Sequence, residues 1–286
     1  MNYQHSSLAP GLYLVATPIG HARDITLRAL DVLGSADLLA AEDTRTLQKL
    51  MQIHGVGREG RALIAYHDHS GGAAAARIAE EIRAGRSVAY ASEAGSPLIS
   101  DPGYRLVAEL ARQGLPVTVI PGACAAVAAL SVAGLATDRF LFLGFPPAKA
   151  AARLSWLAAE AHGGATQVIY ESPRRVEDLL VALAETHGED RPVALCRELT
   201  KSYETVLRGS VAELLEQVRE TPPRGECVLV VAGAAPEGAG AEDMETALVN
   251  ALERLSMKDA VKEVAESLGM PRKAVYQRAL SLREDG

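Results

Sequence analysis

The sequence predicts a two-domain α/β protein that ends in a small helical unit. Three observations carry this prediction. Short apolar runs alternate with helical periodicity as far as Ile120, the rhythm restarts at Phe140, and Gly233 to Ala241 holds no apolar side chain larger than Ala. That last composition marks a linker. A length of 286 residues suits two domains with an appendage. The boundaries are drawn as 10–121 for an N-terminal α/β domain, 122–235 for a second α/β domain and 244–286 for a helix-turn-helix-like unit.

Within the first domain, Leu12 to Ala16, Leu38 to Ala41, Ala62 to Tyr66, Val88 to Ala91 and Val117 to Ile120 read as strands. Thr26 to Leu33 places Leu27, Leu30 and Leu33 on one helical face, and Leu47, Leu50 and Met51 mark another helical stretch. Ala73 to Ala84 and Tyr104 to Arg112 are helices closed by Gly85 and Gly114, where a left-handed cap belongs. Strands alternating with helices imply a largely parallel sheet covered by helices. Pro121 to Ala136 reads as a buried Ala-rich helix, too short and too interrupted to span a membrane.

In the second domain Phe140 to Gly144, Gln167 to Tyr170, Val193 to Cys196, Thr205 to Arg208 and Val228 to Ala232 carry the strand pattern. Helices fit Arg174 to Glu185 and Val211 to Arg219. Beyond the linker, Met244, Leu248, Leu252 and Leu255 mark one helix. Ser256 with Asp259 forms a capping-box-like start for a second, and Pro271 opens a third. Ala265, Gly269 and Val275 have the spacing of a helix-turn-helix, and Arg272 and Lys273 at the third helix start are placed for phosphate.

Composition narrows the function. The chain is 48% hydrophobic and 23% charged, which excludes wholesale disorder, and its net charge of -7 confines any RNA contact to local basic patches. Cys124, Cys196 and Cys227 lie far apart, so they form neither a zinc site nor a disulfide framework. No export signal is legible in Met1 to Pro10, and a cytoplasmic location is expected. Gly55 to Gly60 matches G-x-G-x-x-G letter for letter, but a helix precedes it and a strand follows. A dinucleotide fingerprint needs the reverse order, so this is a loop. His67, Asp68 and His69 alternate across a strand end, which argues against a shared metal ion.

The informative loop runs from Ala91 to Gly103 at the carboxyl end of a strand, where open parallel sheets hold ligands. It combines two Gly and two Pro with hydroxyl residues and carboxylates, a composition that lets backbone approach a ligand closely while fixing its shape. Pro121 to Ala126 likewise ends a strand and opens a helix with small side chains.

These loops join a longer series: Gly11 to Gly20, Ala41 to Arg45, Tyr66 to His69, Ser92 to Gly103, Val119 to Ala123, Tyr170 to Pro173 and Cys196 to Lys201. In that order they resemble the bacterial ribosomal RNA small subunit methyltransferase I family of the tetrapyrrole-methylase superfamily, from about Gly11 to Gly233. The resemblance implies a two-domain, tetrapyrrole-methylase-like (class III) fold. It implies a homodimer, and S-adenosyl-L-methionine folded into the cleft between the domains. It implies as reaction the 2′-O-methylation of a cytidine in 16S rRNA of the small ribosomal subunit, with no membrane partner.

By that resemblance Pro18, Ser92, Glu93, Ala94, Gly95, Ser96, Pro97, Ala123, Cys124, Ala125, Tyr170, Glu171, Ser172, Arg197 and Leu199 line the cofactor. Arg45, His67, Arg174, Arg272 and Lys273 are the expected RNA contacts. The sequence departs from the family where Glu93 stands for Asp, His21 for Asn and Arg174 for His. A ribose hydroxyl must lose a proton as it is methylated, so a base or charge-stabilising group helps. Glu171, Arg197, Glu198 and Lys201 are the catalytic candidates, with Glu42 and Asp43 nearby as further carboxylates. Two alternatives stay open: a tetrapyrrole C-methyltransferase on the same fold, and a DNA-binding regulator whose α/β part senses a ligand.

Overall fold

The computed structural model describes residues 3–67, 71–100, 103–234, 241–268 and 272–284. The first lobe is a five-stranded sheet in the order β3-β2-β4-β1-β5. Its strands are β1 (Gly11–Val15), β2 (Leu38–Ala41), β3 (Leu63–Ala65), β4 (Ser87–Ala91) and β5 (Val117–Ile120), and every pairing is parallel. Between them run α1 (Leu27–Ser35), α2 (Thr44–Ile53), α3 (Gly71–Arg83) and α4 (Tyr104–Arg112). Successive side chains of a strand face opposite ways. Tyr13, Leu39 and Ala89 therefore pack with α1 and α2, while Leu12, Leu38 and Val88 pack with α3 and α4. Burial on both faces explains why these strands read as continuous apolar runs. The Gly55 to Gly60 loop joins α2 to β3, downstream of a helix and not at the start of one.

The second lobe is also five-stranded, in the order β6-β7-β10-β8-β9. It comprises β6 (Phe140–Gly144), β7 (Thr166–Glu171), β8 (Pro192–Arg197), β9 (Thr205–Ser210) and β10 (Cys227–Val231). Only β6 and β7 pair in parallel; the remaining ladders are antiparallel, so this sheet is mixed. The helix α5 (Ala125–Ala133) precedes it, and α6 (Ala150–Ala158), α7 (Val176–His187) and α8 (Val211–Glu220) cover its outer face. The sequence reading has no counterpart to α6. Pro173–Arg175 forms a short 3-10 turn ahead of α7, so the helix starts two residues later than its periodicity suggests. A full capping box starts α8: Ser210 Oγ accepts from Glu213 N at 3.2 Å, and Ser210 N donates to Glu213 Oε2 at 2.8 Å.

The inner face of the second sheet packs on α5, whose buried residues include Ala126, Ala129 and Ala133. With side chains this small the helix lies close against Val168, Ala194, Cys196 and Val228. Ile19 from the first lobe and Leu199 from the second join the same cluster, which fixes the lobes to each other. His21 N donates to Thr200 Oγ1 at 3.0 Å across this junction, and a Cβ on Gly20 would lie 2.6 Å from Thr200 Oγ1. That approach needs glycine.

The C-terminal unit consists of α9 (Ala241–Leu252), α10 (Met257–Ser267) and α11 (Arg272–Glu284) around Leu248, Ala260, Val264 and Val275. Ser256 Oγ accepts from Asp259 N at 3.3 Å and caps α10. Gly269, Pro271 and most of the linker lie outside the described residues. None of the described helices is long and apolar enough to cross a membrane.

Candidate active site

Between the lobes lies a cleft of about 520 Å³, within the size range of small-molecule sites. Its first wall comes from loops at the carboxyl ends of β2 and β4. Glu42 follows β2, and Glu93 to Ser96, Ile99 and Ser100 follow β4. Its second wall is Phe145, Tyr170 to Pro173 and Gly225 to Val228. Ile19, Cys124 and Ala125 close the inner end.

The first wall is shaped by backbone. Gly95 N and O pair with Thr17 O and N at 3.0 and 2.9 Å, and Ser92 Oγ donates to Gly95 O at 2.9 Å. Gly95 holds φ +81°, and a Cβ there would come within 3.3 Å of Ile19. An L side chain rarely takes that conformation. Ser96 Oγ donates to Ala123 O at 3.1 Å, tying the loop to the entry of α5. Glu93 N donates to Glu42 Oε2 at 3.3 Å, which brings two carboxylate residues to one rim.

The second wall is shaped by side chains. Glu171 is only 2% exposed although it borders the cleft. Its Oε1 accepts from Ser172 N at 2.8 Å. Its Oε2, itself buried, lies 3.1 Å from Arg175 Nη2 in an ion pair outside hydrogen-bond alignment. Burial pushes the Glu171 carboxyl above its ordinary value, against the opposing pull of the Ser172 amide and the Arg175 and Arg153 charges. Tyr170 is held from the other side, its hydroxyl accepting from Ala126 N at 2.9 Å.

The described residues lining the cleft include four carboxylates, Glu42, Glu93, Glu171 and Glu226, and no Lys, Arg or His. Such a cleft attracts a cation and disfavours a polyphosphate. A sulfonium-bearing ligand with a flat ring system fits both this charge and this volume.

Residues 11–215 match the family described as Tetrapyrrole (Corrin/Porphyrin) Methylases, and residues 238–283 match the RsmI C-terminal HTH domain. The ribosomal RNA small subunit methyltransferase I of Mesorhizobium japonicum is 41% identical, over 97% of this chain and 94% of its own. The chain belongs to the ribosomal RNA small subunit methyltransferase I family. The Pseudomonas aeruginosa member is 43% identical over 94% of this chain and 96% of its own. The crystal structure of a cobalt precorrin-4 methyltransferase superposes with a TM-score of 0.57 at 19% identity, covering 77% of this chain and 94% of that one. At that identity the superposition shows a shared fold and no more.

Within this family frame, the residues anticipated for the cofactor divide into three groups. Glu93, Ala94, Gly95, Ser96, Cys124, Ala125, Tyr170, Glu171 and Ser172 line the cleft. Pro18, Ser92, Pro97, Ala123 and Leu199 are not part of its lining: Ser92 and Pro97 are buried, Ala123 receives the Ser96 hydroxyl, and Leu199 packs in the inter-lobe cluster. Arg197 is turned away. Ala194 and Cys196 of β8 face α5, so strand alternation sends Leu195 and Arg197 to the opposite face. There Arg197 lines a separate hollow with Thr205, Gln217 and Glu220.

Glu198 and Lys201 also stand outside the cleft lining. Glu198 Oε1 accepts from Glu226 N at 3.0 Å and from Lys201 Nζ at 2.9 Å, and Lys201 Nζ lies 3.1 Å from Glu226 Oε2. The Glu226 amide and then Lys201 hold the Glu198 carboxyl below its usual range. Burial disfavours charge on Lys201, but its two carboxylate partners outweigh it and raise its pKa. These groups form a strut beneath the Gly225 to Glu226 turn.

The expected RNA contacts are scattered. Arg45 is exposed at the start of α2 with Asp43 3.7 Å away, and Arg174 is exposed beside Pro173 at the cleft edge. His67 is exposed after β3, and Arg272 is exposed at the start of α11. The Lys273 side chain, Asp68 and His69 lie outside the described residues. Phe145, Gly225 and Glu226 line the cleft without having been anticipated.

Proposed function

We propose that this chain transfers a methyl group from S-adenosyl-L-methionine to the ribose 2′-hydroxyl of a cytidine in 16S rRNA of the small ribosomal subunit. Membership of the family supports the reaction class. The observation that carries the cofactor reading is the cleft, whose described lining holds four carboxylates and no Lys, Arg or His. When bound, the cofactor supplies an electrophilic methyl on a positively charged sulfur.

What the protein adds is placement and a proton acceptor. Gly95 and Ala94 offer close backbone approach, while Cys124 and Ala125 leave room at the inner end. Glu42 and Glu93 supply negative charge on the first wall. Glu171 accepts the hydroxyl proton as oxygen takes the methyl. Its Oε2 has no hydrogen-bond partner within the chain, and burial raises its pKa, which makes it a stronger base than an exposed glutamate. Arg175 beside it limits the cost of that buried charge.

Three further parts of the reading follow. The lobes correspond to domains 10–121 and 122–235, with α5 grouped with the second sheet it covers, and 244–286 is the appended unit. Exposed Arg45, Arg174 and Arg272, the last at the start of α11, contact RNA phosphate. A homodimer would cover the apolar edge positions Val119 on β5 and Phe140 on β6, which are 62% and 46% exposed.

The test is transfer of a labelled methyl to small ribosomal subunits from cells lacking the modification. The label should map to one cytidine that becomes resistant to alkaline cleavage, because a blocked 2′-oxygen cannot attack its neighbouring phosphate. Absence of calorimetric binding to S-adenosylmethionine and S-adenosylhomocysteine would sink the reading.

A further inference from the structure

All three phenylalanines of the chain, Phe140, Phe142 and Phe145, fall within one six-residue stretch. The first two lie on β6. Its pairing with β7 shifts register between Phe142 and Gly144, and Gly144 takes φ +70°. A bulge of this kind re-aims the end of a strand. Here it delivers Phe145 to the cleft.

Phe145 is then fixed in place. Its ring meets Tyr170 edge-on with centroids 5.6 Å apart, and Phe142 meets the same Tyr170 ring at 4.9 Å. Tyr170 is itself anchored through its hydroxyl to Ala126 N. Behind Phe145, Arg175 Nη2 donates to Pro146 O at 2.8 Å and Pro147 O at 3.2 Å. Yet Phe145 is 59% exposed. A rigid, backed, solvent-facing aromatic ring on a cleft wall is a stacking surface awaiting a planar partner.

Two planar groups come into question, the adenine of the cofactor and the base of the acceptor nucleotide. Connectivity favours the second. The 2′-hydroxyl and its base sit on adjacent ribose carbons, so the proton acceptor and the surface holding the base must be neighbours. Arg175 links the two, its Nη2 lying 3.1 Å from Glu171 Oε2 and donating to Pro146 O beside Phe145. We infer that Phe145 is the platform on which the acceptor nucleobase stacks, so that the substrate is an unpaired or everted nucleotide and not a duplex. This rests on the function proposed above. Bases recognised in RNA are commonly splayed out and stacked on aromatic side chains, and an enzyme acting on one nucleotide draws it from its stack.

The test compares Phe145→Ala, Phe145→Leu and Phe145→Trp with the unchanged protein, using small ribosomal subunits lacking the modification and a labelled methyl donor. S-adenosylhomocysteine affinity is measured in parallel by calorimetry. Phe145→Ala should raise KM for the subunit about five- to hundredfold, as expected for loss of one base stack. Phe145→Leu should lose nearly as much, while Phe145→Trp should stay within about threefold because its ring restores the stack. The Kd for S-adenosylhomocysteine should be the same in all four proteins. If that affinity weakens with Phe145→Ala, the ring serves adenine and the inference is overturned. Unchanged KM in the Ala variant overturns it equally. Should the unchanged protein bind no cofactor and transfer nothing, the function reading itself fails, a result distinct from either.

Discussion

The two walls of the cleft are built on different principles. The first is backbone and charge: a glycine-shaped loop at the ends of parallel strands, with Glu42 and Glu93 at its rim. The second is side chain and packing: Tyr170, Phe145 and a buried Glu171, braced by Arg175 and the Glu198–Lys201–Glu226 strut. Backbone walls suit a ligand that is always the same, since main-chain geometry is fixed by the fold. Side-chain walls suit chemistry, because burial and neighbours can tune a carboxylate there. Under the proposed function, the difference gives cofactor recognition chiefly to the first wall and acceptor handling to the second.

The largest effect that tests this division is on Glu171. Glu171→Gln keeps shape and removes the proton acceptor, so turnover should fall about a hundredfold or more, as for loss of a general base. Affinity for S-adenosylhomocysteine should stay within about threefold, since little of that ligand's recognition is assigned to the second wall. Burial raises the Glu171 pKa, and a base works only when deprotonated. Turnover should therefore climb with pH through a value above the ordinary glutamate range, and that limb should vanish in the Gln variant. A large loss of affinity with unchanged turnover would reverse the assignment of the walls.

Next comes the first wall. Gly95→Val puts a branched side chain at φ +81° and within 3.3 Å of Ile19. Strain of this kind costs about 1–3 kcal/mol, and should weaken cofactor binding roughly ten- to hundredfold. Calorimetry reads it directly, and the subunit KM should move far less.

A smaller effect separates charge from shape. Replacing both rim carboxylates, Glu42→Gln with Glu93→Gln, should weaken S-adenosylmethionine binding about tenfold, at roughly 0.7 kcal/mol per water-screened charge about 6 Å away. S-adenosylhomocysteine lacks the sulfonium charge, so its affinity should barely change. Equal losses for both ligands would show that these residues act by contact and not by field.

The walls also differ in how far the sequence reveals them. Most of the first wall is legible, because Gly95, Ser96 and the strand before them sit in one stretch whose composition states its shape. The second wall comes from three separated segments, and only Tyr170 to Ser172 stand out locally. Phe145 depends on the bulge at Gly144, a product of pairing with β7 that no local pattern announces. Arg197 shows a signal present but unread: Cys196 lies in an apolar strand face, so period two already turns its neighbour outward. The same holds for the Ser210 and Glu213 capping box, an S-x-x-E just before an apolar run. Helix α6 gives less to read, since Ala dilutes its apolar face to Leu154 and Leu157 around Trp156.

The smallest expected effect falls on the residues that the sequence makes most tempting. Glu198 and Lys201 look catalytic as a neighbouring acid and base, yet each is committed to a partner beneath the second wall. Glu198 takes φ +51° and its carboxylate fills the space beside Gly225, where an added Cβ would come within 2.3 Å of it. Its role is to hold the Gly225–Glu226 turn from behind. Glu198→Gln can still accept from Glu226 N but loses the charge on Lys201. Turnover should fall no more than about threefold, while unfolding in denaturant should show a loss of about 1–2 kcal/mol, typical of a hydrogen bond to a charged group. The carboxyl is held below its usual pKa, so the stabilisation is complete above the unfolded value and fades as pH drops through the lowered one. The stability gap between the two proteins should therefore close in acid. A hundredfold loss of turnover at unchanged stability would instead put Glu198 in contact with substrate, and the second wall would hold two working carboxylates where the proposed function has one.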